Sequence, residues 1–195
     1  MSVRAGAPRA GTRQQKDQES TMLQISASAL SDIRVRAEAS YPYECCGALL
    51  GAIDEGSVTD EAGQPINAVR RVVETLPIVN EAEVARLIDR FVIEPEQYLA
   101  ADRAARAKHL DIVGFYHSHP NDTSRPSEFD REHALPNWSY IIVAVAKEDG
   151  APRSGTLQSW ELSHDREVFA EEPIEAIESP ESPEPIIEAP SPKGN

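Results

Sequence analysis

The sequence predicts a single-domain α/β protein in which one mixed β-sheet is flanked by helices. Segments rich in β-branched and apolar residues are typical of buried strands, and the clearest are residues 111–116 and 139–146. Residues 96–108 are rich in Ala, Arg and Leu and follow Pro95, which is typical of a helix with proline in its first turn. Strands interspersed with a few helices indicate an α/β sandwich around one sheet.

The predicted domain spans residues 22–170 and lies between two tails. Residues 1–21 contain few large apolar groups, so they cannot bury enough surface to offset the entropy lost on ordering. Residues 171–195 repeat Glu, Ser and Pro, a composition that opposes both helix and sheet. We therefore expect both tails to be disordered, the second as an acidic Pro/Glu/Ser tail.

In the first half of the domain, apolar periodicity and helix-stop signals predict alternating strands and helices. The predicted elements are a strand at 22–25, a helix that Ser26 or Ser28 caps and Pro42 ends, a nearly continuous apolar strand at 44–53, a strand at 68–74 before Leu76 and Pro77, a short helix at 81–90 and a brief strand at 91–93.

In the second half, the helix at 96–108 leads into the strand at 111–116. A helix is predicted at 127–135, where Pro136 stops it, and the buried strand at 139–146 follows. Residues 156–162 alternate strictly between apolar and polar, which predicts a strand that is half exposed to solvent.

The net charge and the cysteine content indicate which binding partners and which cellular location to expect. A formal net charge of -14 makes nucleic acid or an anionic membrane an unexpected partner. The only two cysteines, Cys45 and Cys46, are adjacent and predict no disulfide framework. The N-terminus lacks the pattern of a secretory signal, and no apolar run approaches the roughly 20 residues of a membrane span. We therefore expect a soluble, cytoplasmic protein.

Two histidines follow directly on the strand at 111–116. Strand side chains alternate, so His117 and His119 share one face. With a Pro-bearing loop and the returning carboxylate of Asp130, they could supply three ligands to zinc and leave a fourth position open for water. That arrangement is typical of catalytic zinc and not of structural zinc.

A larger pattern contains this pair. Glu44 is followed by His117-Ser118-His119-Pro120, six residues, Ser127, two residues and Asp130. The pattern resembles the signature of the JAMM (MPN+) zinc metallopeptidase family, and the resemblance covers about residues 22–165. The segment Pro126-Ser127-Glu128-Phe129-Asp130, with Trp138-Ser139-Tyr140 after it, is most similar to the sequences of the small bacterial members.

The resemblance implies an MPN fold and a set of roles. His117, His119 and Asp130 would bind Zn²⁺, Glu44 would act as general base and acid, and Ser127 would help to stabilise the oxyanion. Relatives of this kind cleave an amide at the C-terminal diglycine of ubiquitin or a ubiquitin-like protein. Close-looking bacterial members release cysteine or another amine from a ubiquitin-like sulfur-carrier protein, which is the expected substrate here. A homodimer is compatible with the sequence.

Several of these residues also have plainer interpretations. Ser127 and Asp130 fit a capping box at a helix start, and a cap would also fix the carboxylate. Glu44 alone could be an exposed acid at a strand end. Ser118 points to the opposite face of its strand from the two histidines, so no catalytic role is assigned to it.

Some nearby residues are weaker candidates. His133 follows Asp130 on the same predicted helix and could support the site. Asn121 and Arg125 lie in the loop between the ligands, where they could touch substrate. Cys45 and Cys46 are expected to pack in the interior, because no histidine is paired with them in sequence.

Two other functions are open at this point. The first is a non-catalytic MPN-type protein-binding module; the family's metal-free members lose ligands, whereas this sequence keeps all of them. The second is a relative of bacterial DNA-repair-associated proteins with a similar His-Asn-His-Pro signature. Here Ser118 replaces the asparagine, Asn121-Asp122 replace the Ser-Gly after the proline, and the acidic charge opposes DNA.

Overall fold

A computed structural model describes residues 21–54, 58–59, 65–66 and 68–178. The predicted tail residues 1–20 and 179–195 lie outside this range. The elements are, in chain order, β1 (Met22–Ser26), α1 (Ala27–Ser40), β2 (Cys46–Asp54), β3 (Val58–Thr59), β4 (Pro65–Ile66), β5 (Val69–Ile78), α2 (Pro95–Arg106), β6 (Asp111–Pro120), α3 (Glu128–His133), β7 (Ser139–Glu148), β8 (Ala151–Leu162), β9 (Phe169–Glu172) and β10 (Ile174–Ile177). In the described part of the chain, no helix is long and apolar enough to span a membrane.

Eight of these strands form one mixed sheet, which confirms the predicted fold class. The strand order is β10-β1-β5-β2-β6-β7-β8-β9. β1 pairs in parallel with both β5 and β10, and β6 pairs in parallel with β7. The remaining neighbours are antiparallel. The strand that carries the histidines is therefore central, with β2 on one side and β7 on the other.

The two faces of the sheet are covered by different helices. Ile33 and Ala37 of α1 pack in one apolar cluster with Leu49 and Tyr116. On the other face, the small side chains of α2 join a second cluster. Its members include Ala48, Leu50, Ala101, Ala105, Phe115 and Ile142. Since strand side chains alternate, His117 and His119 lie on the same face as Phe115, the face that α2 covers.

The two edge strands of the sheet are joined through a single residue. β9 ends at Glu172, Pro173 follows, and β10 begins at Ile174 on the opposite edge. The Pro173 carbonyl accepts a hydrogen bond of 2.9 Å from Leu23 N. The sheet therefore curls so that its two edges come together at Pro173.

A buried ion-pair network lies where the sheet closes. Arg70 of β5 donates to Glu161 of β8 at 2.9 Å and to Glu172 of β9 at 3.0 Å. The Arg70 and Glu172 side chains are 5% and 0% exposed. Ser159 also donates to Glu172 at 2.6 Å. These bonds compensate the desolvation of the charges only while every partner is present.

Residues 171–177, predicted to begin the disordered tail, are partly in strands. β9 and β10 extend the folded sheet past the predicted boundary at residue 170. The acidic composition was misleading because Glu172 is paired with Arg70 inside the sheet and Ile174 packs against an apolar cluster.

The predicted end of the strand at 68–74 was also wrong, since β5 continues through Pro77. Proline is tolerated there because β1 pairs with β5 only over residues 69–72.

The predicted short helix at 81–90 and brief strand at 91–93 are not observed. Only Val84–Arg86 forms a turn of 3₁₀ helix, and residues 91–93 are irregular. The backbone of this segment instead bonds to the side chain of Asn80 and to the residues around Glu44. Local side-chain hydrogen bonds of this kind compete with regular structure.

We predict that the Arg70 network contributes strongly to stability. Arg70→Met would leave the buried carboxylate of Glu172 and the partly buried carboxylate of Glu161 without a cation, which should lower the free energy of unfolding by about 3–5 kcal/mol. The matched control is Arg71→Met, because Arg71 pairs with Asp54 at 3.0 Å on the surface and such pairs contribute roughly 1 kcal/mol or less. Urea denaturation of both variants measures the difference, and equal losses would contradict the assignment.

Candidate metal centre

The two predicted ligand histidines lie side by side at the C-terminal end of β6. His117 and His119 are 1% and 6% exposed. Their Nε2 atoms are 2.9 Å apart. His119 Nδ1 lies 2.8 Å from the carbonyl oxygen of Thr123, so Nδ1–H donates to this carbonyl and Nε2 turns its lone pair towards the other imidazole. A hydrogen bond at one ring nitrogen thus prepares the other as a ligand atom.

Asp130 reaches the same point from the first turn of α3. Ser127 is the N-cap: its Oγ accepts a hydrogen bond of 3.1 Å from Asp130 N, while its backbone N donates to Asp130 Oδ2 at 2.6 Å. The same Oγ donates to Oδ2 at 2.7 Å. Asp130 Oδ1 lies 3.2 Å from His117 Nε2, and Oδ2 lies 3.5 Å from His119 Nε2. The capping interpretation and the ligand interpretation therefore describe the same arrangement.

The donor set of these three side chains fits a metal ion. Each offers one ligand atom, and the three atoms lie within 4.8 Å of one another. Two imidazole nitrogens that face each other repel through their lone pairs unless a proton or a cation lies between them. Two nitrogens and a carboxylate oxygen are the ligand types that zinc takes at catalytic sites.

The charge states of the cluster are set by burial and by mutual contact. Burial would raise the pKa of Asp130, but the adjacent imidazoles and the Ser127 hydroxyl lower it well below its usual range. Burial lowers the pKa of His117 despite the neighbouring carboxylate. For His119, burial acts in the same direction, but the bond to Asp130 prevails and the pKa rises. Asp130 is therefore ionised at neutral pH, as a ligand must be.

Glu44 lies immediately before β2 and beside the cluster. Cys46 is opposite His117 in the antiparallel ladder, so Glu44, two residues earlier, faces His119 on the same side of the sheet. Its side chain is buried, and this desolvation raises its pKa to about 8. The smaller effects of its neighbours differ in sign, since His119 lowers the pKa and Asp130 raises it. The burial of Glu44 excludes the alternative interpretation of an exposed acid at a strand end.

Ser118 ties the Glu44 segment to the histidine strand. The Ser118 hydroxyl accepts a hydrogen bond of 2.9 Å from Cys45 N, and Ser118 N donates to the Cys45 carbonyl at 3.1 Å. Ser118 is fully buried on the α1 face, opposite the two histidines, as the sequence predicted. Ser118 therefore holds the backbone next to Glu44 against the histidine strand, without touching the ligand atoms.

A largely apolar cavity of about 470 Å³ opens beside His117 and Asp130. Its walls come from the irregular segment before α2, from α2, from α3 and from the central strands, and include Phe91, Ile93, Tyr98, Phe115, Phe129, Leu135, Trp138, Tyr140 and Phe169. The Phe91 ring stacks on the imidazole of His117 with centroids 4.4 Å apart. Sequence analysis missed both Phe91 and Asn80, because the segment that carries them has no regular periodicity.

The weaker candidates have other contacts. His133 is exposed; its Nδ1 lies 2.8 Å from the Phe129 carbonyl oxygen, and it lines the cavity without joining the ligand cluster. Asn121 accepts a hydrogen bond of 2.9 Å from the Tyr41 hydroxyl. Arg125 is exposed.

Neither cysteine has the environment of a reactive thiol. Cys46 is buried, and desolvation raises its pKa to about 12. Cys45 is half-buried, and its pKa is also raised by burial. Reactive cysteines have lowered pKa values, so packing is the role that this environment supports.

Comparison with known proteins adds independent information. Residues 26–163 match the family model described as prokaryotic homologs of the JAB domain. A desampylase of Haloferax volcanii is 33% identical over 135 residues, which cover 67% of this chain and 84% of that protein.

Two solved structures are similar as well. The solution structure of a Salinibacter ruber protein is 35% identical, covers 82% of this chain and 94% of its own, and superposes with a TM-score of 0.53. That of a Desulfitobacterium hafniense protein is 24% identical, covers 82% and 96% respectively, and superposes with a TM-score of 0.62, which supports the fold alone.

The family match spans most of the predicted domain, including Glu44 and the residues from His117 to Asp130. It confirms the resemblance that the Glu44, His-Ser-His-Pro, Ser127 and Asp130 pattern indicated. The chain belongs to the prokaryotic JAB-domain family, of the JAB/MPN type.

Proposed function

We propose that this protein is a zinc-dependent peptidase or isopeptidase that hydrolyses the amide bond after the C-terminal diglycine of a ubiquitin-like sulfur-carrier protein, for example with release of cysteine. The observation that carries the proposal is the convergence of two buried imidazoles and a carboxylate beside the buried carboxyl of Glu44. A relative named a desampylase supports an enzymatic role.

His117, His119 and Asp130 would hold the metal. When bound, Zn²⁺ would supply Lewis acidity that polarises the scissile carbonyl and acidifies the attacking water. The three residues contribute a rigid support for it. His119 is oriented by the Thr123 carbonyl, and Asp130 is oriented by the cap at Ser127.

Glu44 would move the proton. Its carboxylate takes a proton from the attacking water as the oxygen adds to the carbonyl carbon. The same proton then passes to the departing nitrogen as the carbon–nitrogen bond breaks. Burial raises the pKa of Glu44 above the usual range of a glutamate and so brings it closer to neutral pH, which suits a group that first accepts and then releases a proton.

Ser127 would stabilise the charge that develops on the substrate oxygen. Its hydroxyl is at the surface of the site and bonds to Asp130 at 2.7 Å. A donor of this kind contributes about 3 kcal/mol to the transition state in other hydrolases. Asp130 N–H holds the Ser127 Oγ atom in place, and the hydroxyl proton that bonds to Asp130 would turn towards the substrate oxygen.

The apolar cavity beside His117 suits the extended tail that would carry the diglycine. Its aromatic and aliphatic walls can desolvate apolar side chains that precede the scissile bond, while the glycines themselves lie over the cluster. Leu135 is on its rim, with 51% of its surface exposed. An acidic enzyme body would favour a carrier with basic residues around its tail.

The first test is metal binding. Protein treated with chelator and then titrated with Zn²⁺ should bind close to one equivalent, and His119→Ala should lose at least about 100-fold in affinity because a direct ligand is removed. His133→Ala is the matched control, since this histidine lies outside the cluster; it should keep wild-type affinity. Calorimetry and metal analysis measure both. No zinc binding by the wild type would favour the non-catalytic binding module.

The second test separates the metal from the proton carrier. Glu44→Gln keeps the shape of the side chain but cannot accept a proton, so we expect full zinc content and a fall in kcat of at least 100-fold. The assay is hydrolysis of a carrier protein joined through its diglycine to cysteine or to a lysine side chain. Full activity of the metal-loaded variant would show that Glu44 is not the base.

The third test concerns the cavity. Leu135→Asp places a charge on its rim and should raise KM for the carrier adduct roughly 10-fold or more while kcat changes little, because apolar tail contacts are lost. Val35 is 61% exposed on α1, away from the cavity, so Val35→Asp is the control. If both variants had the same KM, the tail would bind elsewhere.

A further inference from the structure

The segment from Val79 to Glu94 contacts the candidate metal centre and has little regular structure of its own. Its backbone contacts the residue proposed as base: Glu44 N donates to the Leu87 carbonyl at 2.7 Å. Glu81 N also donates to the Val92 carbonyl at 3.1 Å, which brings the two ends of the segment together. A loop of this length needs internal anchors if it is to hold one conformation.

The principal anchor is the side-chain amide of Asn80. Its Nδ2 donates to the carbonyl of Glu44 at 3.1 Å and to that of Arg90 at 2.9 Å. Its Oδ1 accepts from Ala82 N at 3.0 Å and from Val92 N at 3.1 Å. An asparagine amide has two donor hydrogens and two acceptor lone pairs, and all four are used. Because two carbonyls face Nδ2 and two N–H groups face Oδ1, these partners also determine the positions of the amide nitrogen and oxygen.

These four bonds connect two groups that border the metal cluster. On one side the amide holds the backbone of Glu44. On the other it holds Arg90 and Val92, the two neighbours of Phe91, whose ring stacks on His117. The Arg90 guanidinium also lies 4.6 Å above the Phe129 ring, next to Asp130 in the chain. A shift of the amide would therefore move the carboxyl of Glu44 relative to the imidazole of His117.

We propose that Asn80 is a positioning residue that sets the distance between Glu44 and the metal ligands. The inference rests on the proposed function in so far as Glu44 is the base. Asn80 belongs neither to the ligand cluster nor to the residues that line the cavity, and it meets the cavity wall only through its hydrogen bond with the backbone of Val92. It acts through the backbone of Glu44 and through Phe91.

No other side chain reproduces this set of bonds. Aspartate has the same shape, but it would direct an oxygen at two carbonyl oxygens and add a charge. Alanine would leave four backbone groups without partners. Both substitutions should release the loop, Asn80→Asp by repulsion and Asn80→Ala by loss of bonds.

The kinetic test compares both variants with a control in α2 that bonds to the same loop. Gln97 donates to the Val79 carbonyl at 3.0 Å and accepts from Glu94 N at 2.9 Å, but it does not reach Glu44. We expect Asn80→Asp and Asn80→Ala to lower kcat by about 100-fold at full zinc occupancy, with KM changed less than about threefold, because misplacement of a catalytic group acts on the chemical step. Gln97→Ala should stay within about threefold of the wild type in both constants.

A second readout does not depend on activity. Backbone hydrogen exchange of the zinc-loaded proteins should be faster at the amides of Glu44, Ala82 and Val92 in both Asn80 variants, and unchanged there in Gln97→Ala. Unchanged exchange at Glu44, or an equal loss of kcat in Gln97→Ala, would overturn the inference. If the wild type hydrolysed no carrier adduct, the proposed function would fail, and the exchange data alone would still decide whether Asn80 fixes Glu44.

Discussion

The antiparallel pairing of β2 with β6 is the constraint on which the candidate metal centre depends. Because Cys46 is opposite His117, the residue two positions earlier is brought level with His119 on the same face. A slip of one residue would turn Glu44 to the α1 face, away from the histidines. Ser118 and Cys45 form two hydrogen bonds just beyond the last paired residues, so the contact between the two strands extends as far as Glu44 and His119.

The same arrangement places several ionisable side chains close together in a buried site. Two carboxyls and two imidazoles are buried together, and desolvation alone raises the pKa of both acids. The two carboxyls respond differently. Asp130 stays ionised because imidazoles and the Ser127 hydroxyl bond to it, whereas Glu44 has no such set of donors and its pKa rises to about 8. Environments that separate the pKa values of neighbouring acids allow the two groups to take different roles.

Much of the fold and most of the cluster could be predicted from the sequence, for identifiable reasons. The strands at 111–116 and 139–146 are central and buried on both faces, so their apolar runs are unambiguous. His117, His119 and Asp130 are close in sequence, and the cap at Ser127 is a local signal. What could not be predicted depends on distant partners. Glu172 is stable in a strand only because Arg70, over a hundred residues earlier, supplies its counter-charge.

The segment before α2 shows why local propensity failed at the site itself. Residues 81–90 contain enough Glu, Ala, Arg and Leu to favour a helix. A helix over these residues would point the N–H of Ala82 and the carbonyls of Leu87 and Arg90 out of its two opposite ends, whereas in the fold they bond to Asn80 and to Glu44. In place of a regular helix, the loop forms hydrogen bonds that hold Glu44 and place Phe91 against His117. A departure from local preference at this position is what a functional constraint produces, since the same residues could have formed a helix elsewhere.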